Sequence, residues 1–307
     1  MLGLGLSLTN QGGVTSAVIP PLLDEYSGAL AAYSLRKLRT DYSGSAIRIR
    51  RSNDDAETDI GFSSGSLDTA AIASHCGAND GFVTTWYDQA SSNNASQSSS
   101  PSQPKIYDGT TGVIIVNGKP AVQMSTSSIS LSVPSSKTTF KFLHDGSSSS
   151  TSWVVSPTDA RETSGTTEHE LFETGAFGGS VGVEISYKSS EFSTTELARF
   201  LVKNGTSSSV DYTTPVDTFA VGQNLVTFYI DADNATAADR LKVGVNGEAL
   251  LTGNTSTNAP STADSQLDFT LYGGFTALWQ EVIVWNSDQS ANRTAIESNI
   301  NNLYSIY

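Results

Sequence analysis

The sequence predicts an all-β protein: an antiparallel β-sandwich with a few short helices and one at the C-terminus. Three observations carry this. About a dozen short apolar or alternating runs are separated by Gly, Asn, Ser and Asp, the spacing of a sandwich or jelly roll. The Asn-Gly pairs Asn117-Gly118 and Asn246-Gly247 follow strand-like runs and supply hairpin turn chemistry. Charged residues make up only 16% of the 307 residues. A coiled coil needs charged e and g positions, so that low content excludes one and argues against a helical bundle. Ser and Thr together account for roughly a quarter of the chain, about twice ordinary usage.

Taken in order, residues 1–20 read as an extended arm, and residues 21–307 as one sandwich domain. The arm opens on Leu2, Leu4, Leu6 and Leu8 and ends at Pro20-Pro21, which holds an extended backbone. It lacks the basic start of a signal peptide, and its apolar run breaks at Asn10-Gln11-Gly12-Gly13. Leu22, Leu23, Tyr26 and Leu30 follow at loosely helical spacing. Ile47-Arg48-Ile49-Arg50 alternates with period two, and Phe82 to Tyr87 is β-branched and aromatic. Between them, Asp68 is placed to cap a helix stapled by Leu67 and Ile72 and stopped by Gly77.

Val113 to Val116, the turn, and Ala121 to Met124 give the clearest hairpin, with Pro120 suited to an edge. Ser98 to Ser100 and Ser147 to Ser150 read as surface loops. Further strands are expected at Trp153 to Val155, Leu171-Phe172, Val181 to Tyr187, Phe200 to Val202, Leu225 to Ile230, Leu241 to Val245, Phe269 to Tyr272 and Val282 to Trp285. Ile296, Ile300, Leu303, Tyr304 and Tyr307 make one apolar helix face that should pack on the closing strand.

Charge and cysteine usage narrow the chemistry. With 17 basic and 31 acidic side chains the net charge is −14, so no nucleic-acid partner is expected. No run approaches the ~20 apolar residues of a membrane span, so no membrane partner is expected either. Cys76 is the single cysteine, which excludes an intramolecular disulfide. No metal and no cofactor is expected. His75, His144 and His169 are far apart, and the neighbours Glu168 and Glu170 point to opposite sides of a strand from His169. Asp231-Ala232-Asp233-Asn234 opens like a calcium loop but lacks the later Gly and Glu, and a turn is expected there.

Two groups of motifs carry a resemblance. One is Ala32-Tyr33-Ser34-Leu35-Arg36 with Tyr42 to Ser52 and Thr58-Asp59-Ile60-Gly61-Phe62; the other is Thr85-Trp86-Tyr87-Asp88-Gln89 with Asn93-Asn94-Ala95-Ser96-Gln97. Together they resemble the front half of arabinofuranosidase B-type catalytic domains. They resemble more closely the non-enzymatic concanavalin A-like (laminin G-like) jelly rolls of tailed-phage virion proteins. The likeness covers about residues 30–125 and resumes at Glu281-Val282-Ile283-Val284-Trp285 and the last helix. In physical terms Asp88, Ser91 and Asn93 suit a tight loop held by hydrogen bonds to backbone N–H groups. That loop serves either as a corner joining the sheets or as a glycan-binding loop with Trp86 or Tyr87 as stacking platform.

The resemblance implies a non-enzymatic structural protein of a phage virion, assembled in the host cytoplasm, decorating the capsid or forming part of a tail or fibre. The arm would grip other virion proteins through its leucines, since an exposed apolar segment needs a cover. A homo-oligomer follows from virion symmetry. Host-surface glycan would be engaged by Trp86, Tyr87, Asp88, Asn93, Asn94 and Trp279.

The alternative is a glycoside hydrolase of arabinofuranosidase type. A retaining glycosidase needs two carboxyl groups about 5 Å apart. Glu170, Glu173, Glu184, Glu191 and Glu281 are the candidates. Glu184 in Val183-Glu184-Ile185 matches the family's strand-borne nucleophile, or is an ordinary strand residue facing solvent. Against activity, the Asp that follows a Gly-Gly pair in that family is replaced after Gly273-Gly274 by Phe275, and the family's vicinal cysteine pair is absent.

Overall fold

The computed structural model describes residues 19–307 apart from 127, 159–167, 176–178, 191–192, 216–217, 220 and 275. The arm residues Leu2, Leu4, Leu6 and Leu8 lie outside the described residues.

The protein is an antiparallel β-sandwich, as its alternating runs require. One layer has ten strands. From one edge they run Glu57–Ile60, Ile47–Arg51, Gly81–Trp86, Ala95–Ser96 and Ser130–Ser132. They continue through Thr270–Tyr272, Glu168–Glu173, Val181–Ser190, Ser193–Asn204 and Ser208–Thr213. The second layer runs Leu241–Val245, Asn224–Asp231, Ser148–Pro157 and Ala277–Trp285. Ala29–Ser34 and Val122–Met124 both pair with Ala277–Trp285. Strand Lys105–Asp108 bonds to both Gly81–Trp86 and Val122–Met124 and joins the layers along one side.

Inward residues of both layers form one core. Trp153 meets Phe228 edge-on at 4.9 Å and Trp279 at 5.4 Å, and Phe172 meets Phe269 at 4.9 Å. Such edge-to-face pairs add to the area term and fix how the sheets interlock. A second apolar cluster lies on the other side of the second layer. There Ile296, Ile300 and Tyr304 of helix Arg293–Tyr304, with Leu22 and Leu23 of helix Leu22–Glu25, cover Val154, Leu225, Ile283 and Trp285. The expected packing of the last helix on the closing strand is what forms, although Tyr307 lies past its end and is 54% exposed.

Local signals correspond well. Asp68 Oδ1 accepts from the Ala71 N–H at 3.0 Å and caps helix Thr69–Cys76, Leu67 and Ile72 are buried, and Gly77 ends it at φ +59°. Asn117 and Gly118 take φ +48° and +73°, the signs a type I′ turn requires. The hairpin around them is shorter than expected, pairing only Ile115–Val116 with Lys119–Pro120. Pro120 donates no N–H, so the ladder stops and Val122–Met124 joins the second layer instead. The loop expected at Ser147 to Ser150 is also corrected. Ser149 and Ser150 lie in a strand, 2% exposed, opposite Ile230 and Tyr229, with Ser150 Oγ donating to the Ser287 carbonyl at 2.9 Å.

Candidate active site

Two of the candidate glutamates end up side by side. Glu173 and Glu184 are directly opposed on neighbouring antiparallel strands. Such pairs project to one face with Cβ atoms about 5 Å apart. Val183, Ile185 and Tyr187 belong to the core, so Glu184 and Ser186 point to the outer face of the ten-strand layer.

A β-bulge makes the pairing possible. In Glu170-Leu171-Phe172-Glu173 strict alternation would bury a glutamate or expose an aromatic. The register shifts between Glu170 and Phe172, so Leu171 and Phe172 both enter the core at 0% and 3% exposure. Glu170 then opposes Ser186, Glu173 opposes Glu184, and both carboxylates share the outer side. At the next turn Gly182, at φ +145°, lies so close to Thr174 that a Cβ would come within 2.6 Å of its carbonyl carbon, which holds the two carboxyl-bearing strands tightly together.

The pair is enclosed rather than solvated. Glu184 is 1% exposed and Glu173 7%, so the expectation that Glu184 faces solvent is corrected. Burial pushes the Glu173 carboxyl up from its ordinary value; the Tyr272 hydroxyl donates to it and pulls it down, and nearby Glu170 pushes it up again. Beside them Ser186 is 0% exposed, and its Oγ finds no hydrogen-bond partner among the described residues. A carboxyl that keeps its proton above the usual carboxylate range, beside a second carboxyl, is the arrangement of a proton donor and a nucleophile.

The register extends this pair into a row. Thr270 opposes Glu173, Ser132 opposes Thr270, and Ser96 opposes Ser132. Thr85 opposes Ser96, Arg48 opposes Thr85, and Asp59 opposes Arg48 at the edge strand. On the other side Glu184 opposes Leu201, which is 2% exposed. At the far edge Arg48 binds Asp59 through both carboxylate oxygens, at 2.8 and 2.9 Å, and the Tyr87 hydroxyl donates to the same carboxylate at 2.7 Å. Those contacts hold Asp59 below its ordinary value, with the Arg48 hydrogen bond foremost. Tyr87 is pushed up to about 12, first by burial and then by Asp59.

The other expected residues fall elsewhere. Glu281 lies in a buried ion pair with Arg36, at 2.7 Å, on the helix-covered layer. Glu191 lies outside the described residues. Trp86 and Trp279 are both 0% exposed. The Trp279 indole donates to the Tyr272 carbonyl at 3.1 Å. Neither indole offers a free ring face, which corrects their reading as stacking platforms. Asp88 is 2% exposed. Its Oδ1 accepts from Ala32 and Ala90 N–H groups, and its Oδ2 from Ser91 N–H, Ser91 Oγ and Asn93 N–H, at 2.6–3.1 Å. The Asn93 amide donates to the Leu30 carbonyl and Asn94 Oδ1 accepts from the Asp88 N–H. That loop is a corner tying Ala29–Ser34 to Gly81–Trp86, and its side chains are spent on backbone. Asp231 to Asn234 is a turn, closed by the Asn234 N–H on the Asp231 carbonyl at 2.9 Å.

The model of the family described as "Alpha-L-arabinofuranosidase B, catalytic" matches residues 25–130. That stretch resembles a hydrolase. An arabinofuranosidase solved with arabinofuranosyl-α-1,2-xylobiose superposes with a TM-score of 0.60 at 15% identity, over 92% of this chain and 64% of that one. A GH54 α-L-arabinofuranosidase soaked with a cyclic sulfate inhibitor gives 0.59 at 14% identity with the same coverage. So does a Glu-to-Gln mutant of such an enzyme soaked with 4-nitrophenyl α-L-arabinofuranoside. At these identities the superpositions show the shared fold, and this chain spans 64% of those enzymes' length. No curated protein matches the sequence. The match at 25–130 overturns the expectation of a non-enzymatic phage virion component, with its capsid-decorating, tail-fibre and host-attachment roles, because the domain that this stretch resembles is a catalytic one. The matched stretch contains the Asp88 corner but neither Glu173 nor Glu184, so the shared motifs are those that build the sandwich.

Proposed function

We propose that this protein is a glycoside hydrolase that releases α-L-arabinofuranosyl groups with retention of configuration. The observation that carries the reading is the Glu173–Glu184 cross-strand pair: directly opposed residues have Cβ atoms about 5 Å apart, which lets their carboxyl groups approach within the short separation that retaining rather than inverting enzymes use. The family match at residues 25–130 supports the sugar class.

Glu184, as carboxylate, attacks the anomeric carbon while Glu173 gives its proton to the departing glycosidic oxygen. The covalent glycosyl–enzyme is then hydrolysed by a water that Glu173, now a carboxylate, deprotonates. Burial prepares Glu173 for the first role by holding its proton above the ordinary carboxylate range. In this reading Glu173 takes the place of the missing aspartate after Gly273-Gly274.

Hydrolysis of 4-nitrophenyl α-L-arabinofuranoside and of arabinoxylan tests the assignment. Glu184→Gln should lower both rates by at least about a thousandfold. Glu173→Gln should lower arabinoxylan turnover by about 10²–10⁴, and cleave the nitrophenyl bond with a smaller loss because that leaving group needs no proton. Wild-type rate should fall as pH rises through the Glu173 pKa, and Glu173→Gln should flatten that alkaline limb. A Glu184→Gln protein that turns over at the wild-type rate refutes the reading.

A further inference from the structure

The row of side chains leading away from the carboxyl pair continues across the layer, and it is asymmetric. Towards Leu201 the row is short: it passes that one buried apolar residue and ends at the edge strand on exposed Asp211, which Arg199 holds at 3.0 and 3.1 Å. In the other direction the row opens to solvent: Thr270 is 5% exposed, Ser132, Ser96, Thr85 and Arg48 are half-buried, and Asp59 is exposed. Every residue in that direction carries a hydroxyl or a charge. The distance from the Glu173 strand to the Arg48 strand is five strand spacings, about 24 Å.

We propose that this face binds a neutral polysaccharide lying across the strands, with the Arg48–Asp59–Tyr87 cluster as a distal sugar site. The inference rests on reading the Glu173–Glu184 face as a sugar site, and it adds that the substrate is a chain rather than a single terminal sugar. Three features support it.

The first is the Ser186 Oγ beside the carboxylates, which has no hydrogen-bond partner among the described residues. A buried hydroxyl without a partner is costly, and a sugar hydroxyl would satisfy it. The second is the chemistry of the far cluster. Arg48 and Asp59 form a planar, bidentate, part-exposed pair with a tyrosine ring beside it. It presents guanidinium donors, carboxylate acceptors and an aromatic edge, the groups that hydrogen-bond sugar hydroxyls and pack on their C–H faces. The third is charge: at −14 the protein repels a polyanion, so the chain it accepts is uncharged.

The test compares a short and a long substrate. In Arg48→Ala, the KM for arabinoxylan should rise about tenfold, while kcat and KM on 4-nitrophenyl α-L-arabinofuranoside stay at wild-type values. Arg51→Ala, a surface change off the row, should alter neither. In gel-retardation with the inactive Glu184→Gln protein, soluble arabinoxylan should slow migration, Arg48→Ala should relieve this, and polygalacturonate should have no effect. If Arg48→Ala affects neither substrate, or both alike, there is no distal site and the proposal is overturned. Retention by polygalacturonate in preference to arabinoxylan overturns it too. If wild type hydrolyses nothing yet arabinoxylan binding depends on Arg48, the hydrolase reading falls and the polysaccharide track stands.

Discussion

The two layers of this sandwich share one core but treat their outward faces in opposite ways. On the second layer, Ile296, Ile300 and Tyr304 seal Val154, Leu225, Ile283 and Trp285 from water. Glu281, a buried acidic side chain of the closing strand on that side, is answered completely. Arg36 grips it with Nε at 2.7 Å and Nη2 at 2.8 Å, Ser34 Oγ donates at 2.7 Å, and the free Arg36 Nη1 donates to Asn299 Oδ1 on the covering helix at 2.8 Å. On the ten-strand layer, two glutamates are buried side by side and Glu173 keeps its proton above the usual range. A buried carboxylate matched by a guanidinium locks a helix in place. Two buried beside each other raise proton affinity, as at Glu173, the usual state of a functional site.

The largest effect should come from breaking the matched side. Glu281→Gln leaves Arg36 charged and buried without its carboxylate, and should destabilise the fold by about 4 kcal/mol, read as a fall in urea midpoint. An Arg36→Met/Glu281→Leu double variant should recover most of that, because the lone buried charge is the costly species. Recovery failing while the single loss is large would mean the pair itself, rather than the orphaned charge, holds the helix.

Next in size is Ile300→Ala beneath the last helix. It removes a side chain that is 0% exposed and should cost about 3 kcal/mol, with turnover per folded molecule unchanged at 25 °C. A loss of activity beyond the loss of folded protein would show that the two faces communicate.

The smallest change should have the opposite sign. Glu173 has a raised folded pKa, so the folded state holds a proton that the unfolded state releases. Stability therefore declines as pH climbs from the unfolded carboxylate value, about 4.3, through the folded one. Glu173→Gln abolishes that decline. Its melting temperature relative to wild type should increase between about pH 4 and neutrality while activity is lost. A variant less stable than wild type at neutral pH would mean that Glu173 belongs with Glu281 as a structural carboxylate.

Much of the fold was legible locally. Asp68 with Leu67 and Ile72 announced a capped helix, and Asn117-Gly118 a type I′ turn. The apolar face of residues 296–304 announced a helix on the closing strand. The site was legible only in fragments. Among five candidates Glu184 stood out only through the family resemblance and nothing singled out Glu173, although Glu-Leu-Phe-Glu, two core residues flanked by two acids, is itself the trace of a bulge. Trp86, Trp279 and Asp88 drew attention as ligands because aromatics and Asx side chains serve both sugars and architecture; here they serve architecture.

Side-chain periodicity and turn chemistry depend on neighbours a few residues apart, and those the chain encodes directly: β class, turns, caps and the helix face. Which carboxylates meet depends on partners in register across strands, as with Thr270 and Glu173, far apart in sequence, and on a bulge that changes which face a residue occupies. A slip of one residue would send Glu173 into the core and Phe172 into water. That choice is settled only when both layers close on their common core, where burying Leu171 and Phe172 together outweighs keeping the strand regular.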